Sequence, residues 1–102
     1  MITVIVNVTV KTDSLREYKS IASQLTEESR KRPGCITYIF NQSIDNPREF
    51  ALYEQWASQA HLDLHINALI ALLGPPSTGG LLPEKLMNMY EKAQPIFYYA
   101  IE

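Results

Sequence analysis

Apolar and polar residues alternate from the start of the chain. Ile2, Val4, Val6, Val8 and Val10 share one side of an extended backbone, and Thr3, Ile5, Asn7 and Thr9 share the other, which predicts a strand with one wholly apolar face. The period then changes. Leu15, Tyr18, Ile21, Ala22, Leu25 and Ser29 fall on one side of a helix, with Arg16, Glu17, Ser20, Ser23, Gln24, Glu27 and Arg30 on the other. Ser14 and Glu17 have the spacing of a capping box, Lys31-Arg32 suit the negative end of the helix dipole, and Pro33-Gly34 stop the helix. Residues 35–42 and 49–57 are rich in strand formers and flank a turn over 43–48 with Asp45-Asn46-Pro47 at its tip. Ser58 is placed to cap a second helix over 59–73, whose apolar stripe is Leu62, Ile66, Leu69, Ile70 and Leu73. A loop rich in glycine and proline over 74–80 follows. Pro83 then starts a short helix on which Leu86, Met89, Tyr90 and Ala93 share a face, and 94–101 reads as a closing strand.

The order β-α-β-β-α-(loop-α)-β predicts an α+β, ferredoxin-like split β-α-β fold: one domain over 1–102 with two main helices on one face of a four-stranded antiparallel sheet. The helices cover only one side of the first strand. The other side still carries Ile5, so a homodimer with the sheets face to face is the expected cover.

The 102 residues are 46% hydrophobic and 20% charged, ordinary for a globular domain. A net charge of −2 argues against nucleic acid or an anionic membrane surface as a partner. The single cysteine, Cys35, cannot form an internal disulfide. No apolar run approaches the roughly 20 residues of a membrane span, and the N-terminal segment lacks the basic start of a signal peptide. A cytoplasmic protein is expected.

Two polar groups occupy apolar positions, where burial costs energy unless something answers it. Glu54 lies between Leu52 and Trp56 on one strand face, either pinning backbone amides or an arginine, or serving as a proton shuttle with a raised pKa. His65 sits at the edge of the second helix's stripe, either as a core histidine bonded to a neighbour or as a proton acceptor or hydrogen-bond donor to a phenol or enol oxygen. Tyr53 points away from Glu54 unless a bulge intervenes. Asn7 is the one amide in its strand, suited to an oxyanion or to an interface bond, and Trp56 is a packing residue or a stacking platform. His61 and His65 have metal-binding spacing, but the glutamate of a metalloprotease signature is missing and no metal site is expected. Cys35 reads as inert.

Taken in order, the Pro33-Gly34-Cys35 turn, the Tyr53-Glu54-x-Trp56 strand end and His65 resemble the antibiotic-biosynthesis-monooxygenase domain of the dimeric α+β barrel superfamily. The resemblance implies a dimeric α/β barrel and a monooxygenase that uses dioxygen on a quinol or polyphenol without metal, flavin or other cofactor. It implies His65 as the base, Glu54 as a second catalytic group, Asn7 and Tyr53 as anion contacts, Trp56 and Tyr38 as pocket walls, and Met87, Met89 and Tyr90 as a cover. Two alternatives from other classes stay open: an isomerase or tautomerase of a small carbonyl compound, phosphorylated or not, which Tyr53, Glu54 and His65 would suit, and a non-catalytic small-molecule-binding dimer in which these polar residues only order the fold. Position 65 is histidine with no later histidine, which speaks against its haem-degrading branch. The segment 74–93 is longer than the family pattern and suits a lid or a cavity wall.

Overall fold

The computed structural model describes residues 1–76 and 82–101, and part of the loop expected over 74–80 lies outside them. Strand β1 (Ile2–Val10) leads through a 3-10 turn at Thr12–Ser14 into helix α1 (Leu15–Arg30). Strands β2 (Cys35–Gln42) and β3 (Glu49–Trp56) form the hairpin, followed by α2 (Gln59–Leu73), a single turn α3 (Glu84–Met87) and β4 (Tyr90–Tyr99). The sheet is antiparallel in the order β2-β3-β1-β4, the split β-α-β arrangement expected from the pattern.

The valine side of β1 lies under the helices: Ile2, Val4, Val6, Val8 and Val10 are all buried. From α1 the core takes Tyr18, Ile21 and Leu25, and from α2 Leu62 and Leu69, the positions that the helical period selects. Tyr18 meets the rings of Phe40, Phe50 and Tyr90 edge-on. Because the register is regular, side chains line up in rows across the strands. Tyr38, Glu54, Val4 and Phe97 form one row on the helix side; Ile39, Tyr53, Ile5 and Ile96 form another on the outer side.

Two local expectations give way. Ser14 makes no side-chain cap bond, because its own amide closes the 3-10 turn onto the Lys11 carbonyl (3.0 Å) and its backbone is already helical. The helix expected to run from Pro83 towards Ala93 ends at Met87, and the closing strand starts at Tyr90 rather than at 94. The open edge of β1 decides this. Lys11 N–H reaches Met89 O at 2.8 Å, Tyr90 pairs with Val10, and a bulge at Glu91 returns Ala93, Pro95 and Phe97 to the helix side. Four apolar residues at helical spacing were compatible with either element, and unpaired strand amides chose the sheet. Pro95 is tolerated because β4 is an edge strand.

Gly34 joins α1 to β2 at φ +81°, and a β-carbon there would lie 2.3 Å from Cγ of His61. Gly34→Ala should therefore cost more than the about 1–2 kcal/mol of the left-handed backbone alone, since the His61 ring must also move. A denaturant midpoint unchanged from the parent would contradict this packing.

Candidate functional site

A cavity of about 200 Å³ opens between α2 and the sheet. Val4, Val6, Leu62, Ile66 and Leu69 line its interior, Ala93, Pro95 and Phe97 form its β4 wall, and Leu82 and Met87 sit over it. Its polar side chains are Glu54 and His65, which are 5% and 1% exposed. Strand period explains Glu54: two residues before Trp56, it must share that residue's buried face. Helical period explains His65, one turn after Leu62 and one before Leu69 on the buried side of α2. Ser58 starts this helix as expected, its hydroxyl accepting from His61 N–H at 3.3 Å.

Each polar group has identifiable partners. Trp56 Nε1–H donates to Glu54 Oε1 at 2.9 Å. The Trp56 ring stacks on the imidazole of His65, centroids 4.4 Å apart at 29°, and Tyr38 meets the same ring edge-on at 5.3 Å. Arg32 Nη1 lies 3.1 Å from His65 Nδ1 and 3.3 Å from the hydroxyl oxygen of Ser29. A guanidinium only donates, so Nδ1 must be the accepting nitrogen. In the neutral ring the proton is then on Nε2, which faces Glu54 Oε1 at 3.5 Å and has no hydrogen-bond partner among the described residues.

At 3.5 Å the imidazole and the carboxyl are within ion-pair range, but the charged pair does not form. Burial first, and the Arg32 cation second, press His65 down to about 3. Burial pushes Glu54 up to about 7, and the bond from Trp56 only partly offsets it. Near neutral pH the histidine is an uncharged N–H donor and the glutamate is poised between acid and base. This reverses the expected division of labour. His65 is a poor base because burial, and after it Arg32 at its lone pair, disfavour its protonation; Glu54 is the group whose ionisation matches a proton acceptor.

The remaining expected site residues separate. Asn7 and Tyr53 lie on the outer face of the sheet, beyond the strands from the cavity, because the β1–β3 register runs without a bulge. Asn7 is exposed there beside Asn41, Gln42 and Ala51. Neither reaches the His65 cavity. Trp56 and Tyr38 are buried against His65 and do not line this cavity, although Tyr38 lines a smaller adjoining space of about 30 Å³ together with Glu54. Met87 does cover it, whereas Met89 and Tyr90 are packed beneath. His61 engages Ser58 (2.8 Å between Nδ1 and Oγ) and His65 engages Arg32, so the two histidines do not converge. Among the described residues no group of three or more His, Cys, Asp or Glu is placed to hold a metal ion. Burial, followed by the nearby Glu54, pushes the Cys35 thiol up, the opposite of an activated thiolate. Arg32 is the functional candidate that sequence reasoning missed. Read only as a favourable charge at a helix end, it meets a histidine 33 positions later. The signal available was its place immediately before the Pro33-Gly34 turn.

The model of the antibiotic biosynthesis monooxygenase family matches residues 1–68, which carry β1 through most of α2, including Arg32, Glu54 and His65. The chain belongs to this family. An uncharacterized protein of Synechocystis sp. is 36% identical over 61 residues; the match takes in 60% of this chain and 42% of that relative's length. Solved structures share the whole fold. A Nitrosomonas europaea protein assigned to the antibiotic biosynthesis monooxygenases superposes with a TM-score of 0.81 at 22% identity, covering 100% of both chains. A conserved protein of Methanosarcina mazei Go1 gives 0.73 at 25%, covering 95% of this chain and 89% of that one. A mutant of SnoaB, a cofactor-independent oxygenase from Streptomyces nogalater, gives 0.73 at 15%, covering 99% and 93%. At these identities the likeness extends the fold through β4, past the end of the family match. Among the described residues no helix is long and apolar enough to cross a membrane.

Among the described residues the indole of Trp56 is the side-chain donor that favours the charged form of Glu54. Trp56→Phe keeps the ring against His65 and removes that donor. It should move the ionisation of Glu54 further above 7, seen as an alkaline shift of the pH dependence of any activity the site supports. An unshifted profile would show that the indole does not tune the carboxyl.

Proposed function

We propose that the chain is a monooxygenase acting on a small quinol or phenol, using dioxygen and no metal, flavin or other cofactor. The observation that carries this reading is the meeting of Glu54 and His65 at the polar end of an otherwise apolar cavity. A substrate hydroxyl lodged there would give its proton to Glu54, while His65 Nε2–H, which lacks a partner among the described residues, holds the resulting oxyanion. The pressed-down basicity of His65 keeps the ring neutral, and a neutral imidazole still donates from Nε2. The phenolate then reduces dioxygen directly. For a hydroquinone, one oxygen atom enters the ring, the other leaves as water, and all the electrons come from the ring, which ends as a hydroxyquinone.

The cavity also narrows the substrate. At about 200 Å³ it is smaller than the roughly 300–1,000 Å³ of sites for drug-sized ligands, and its walls suit one substituted ring. Among the described residues no lysine or arginine lines it, and the carboxyl would repel a phosphate, so a phosphorylated carbonyl substrate is disfavoured. An isomerase of uncharged carbonyl compounds would use the same acid and base. Oxygen dependence separates the two reactions.

Pairing of two copies through the sheets is part of the proposal. The outer row Ile39, Tyr53, Ile5 and Ile96, with Ile39 43% exposed, is an apolar stripe that the helices do not cover. Asn7 and Tyr53 would then lie in the interface, with structural rather than catalytic roles.

The test is oxygen uptake by chelator-treated protein offered a panel of hydroquinones. Uptake above the autoxidation background supports the reading. Background rates together with anaerobic turnover of an enolisable ketone would replace it with proton transfer, and inertness in both would leave a binding protein.

A further inference from the structure

We propose that Arg32 is a positioning residue that locks His65 in its Nε2–H form, with the Nδ1 lone pair occupied, so that a substrate proton in the cavity has only Glu54 to go to. The inference deepens the reading above and rests on it for its kinetic part, but its structural part stands alone.

Arg32 is tied down on several sides. It lies just beyond α1, its amide bonding to Ser29 O (3.1 Å) and its carbonyl accepting from Cys35 N–H (3.2 Å), so the backbone around it is fixed by the entry into β2. One terminal nitrogen serves two acceptors, Ser29 Oγ at 3.3 Å and His65 Nδ1 at 3.1 Å, and Ser29 is fully buried. The two hydrogens of Nη1 can satisfy both at once. Trp56 stacked on the ring and Tyr38 at its edge leave the imidazole little freedom to turn. The titratable groups facing it are Arg32 from the turn after α1, Glu54 from β3 and Tyr38 from β2, with Cys35 close to the two charges.

Without the lock, the ring would have a better arrangement that disables the site. With its proton on Nδ1, bonded to Ser29 or water, Nε2 would become an acceptor for a hydrogen bond from the protonated Glu54 carboxyl, whose oxygen lies 3.5 Å away. The glutamate would then be a satisfied donor instead of a free base. Arg32 forbids this, because a guanidinium facing Nδ1 tolerates no proton there. A purely structural arginine would hold the turn but leave the tautomer free.

Long-range ¹⁵N–¹H correlation spectra of the wild-type protein and of Arg32→Met and Arg32→Lys decide the matter, with His61 as the internal reference. The expected result is a protonated Nε2 and a bare Nδ1 at His65 in the wild type and in Arg32→Lys, and a redistribution towards Nδ1–H in Arg32→Met. A wild-type ring protonated on Nδ1, or an unchanged tautomer in Arg32→Met, overturns the proposal. Should Arg32→Met fail to fold, the wild type and Arg32→Lys still give the answer. On any hydroquinone that is turned over, Arg32→Met should lose about tenfold to a hundredfold in kcat with little change in KM, as when a histidine's orienting partner is removed, and Arg32→Lys should recover most of it. A full rate in Arg32→Met would also refute the lock. If no hydroquinone reacts, the oxygenase reading fails while the spectra still judge Arg32.

Discussion

Glu54→Gln is expected to lower oxygen uptake on a reactive hydroquinone by about 10²–10⁴-fold, the usual contribution of a general base, while leaving the fold intact. Glutamine has the shape of the protonated carboxyl that burial already favours at Glu54, and its carbonyl oxygen can still accept from Trp56 Nε1–H. The imidazole loses no bond either, since Nε2–H has no partner among the described residues. What disappears is the capacity to take a proton. The wild-type rate should climb as pH rises through about 7, where Glu54 ionises, and level off above it. The variant should retain only the pH dependence of the free substrate. A rate equal to wild type, or a variant that keeps the rise through 7, would remove Glu54 from the mechanism. An equal loss in His65→Phe would not distinguish the two roles, because that change deletes the oxyanion donor. Only the pH profile tells a missing base from a missing donor.

Much of this arrangement was legible before any coordinates. Alternation placed Val4, Glu54 and Trp56 on one side of the sheet and Asn7 and Tyr53 on the other. The same period-two rule that predicted the fold therefore already argued against a cavity shared by His65, Asn7 and Tyr53. Glu54 and His65 stood out because charged or polar groups at apolar positions need a partner. Their roles could not be read in the same way. Which nitrogen of an imidazole carries the proton depends on a neighbour in space, and that neighbour, Arg32, belongs to a different element. The start of the last strand was hidden for another reason. Leu86, Met89, Tyr90 and Ala93 satisfy a helical period, and only the pairing demand of β1 at Val10 and Lys11 settles the backbone. The capping box failed likewise, because the 3-10 turn used the Ser14 amide before its hydroxyl could matter. Local pattern fixes which face a residue takes; long-range contacts fix what the residue can do there.

Stability should depend on pH through two opposite slopes, one from Glu54 and one from His65. Glu54 ionises near 7 in the fold against an ordinary 4.5, so the native protein holds a proton that the unfolded chain has released. Its contribution is fully present below 4.5 and is lost as pH rises to 7. His65 behaves inversely. With about 3 in the fold against an ordinary 6.5, it leaves the unfolded chain holding the extra proton, so its contribution is present above 6.5 and is lost as pH falls towards 3. At about 1.4 kcal/mol per pH unit for one proton, the first effect spans on the order of 3 kcal/mol and the second on the order of 5 kcal/mol. Between 4.5 and 6.5 the two slopes are equal and opposite, so the pair gives the wild type no net pH dependence there. Each single variant uncovers the other group. Relative to wild type, Glu54→Gln should gain stability by about 3 kcal/mol on going from pH 4.5 to 6.5, and His65→Gln should lose a similar amount over the same interval. Urea titrations at a few pH values in that window would read both slopes. If the two variants tracked the wild type in parallel, the carboxyl and the imidazole would not be the poised, mutually inverted pair on which the proposed proton transfer depends.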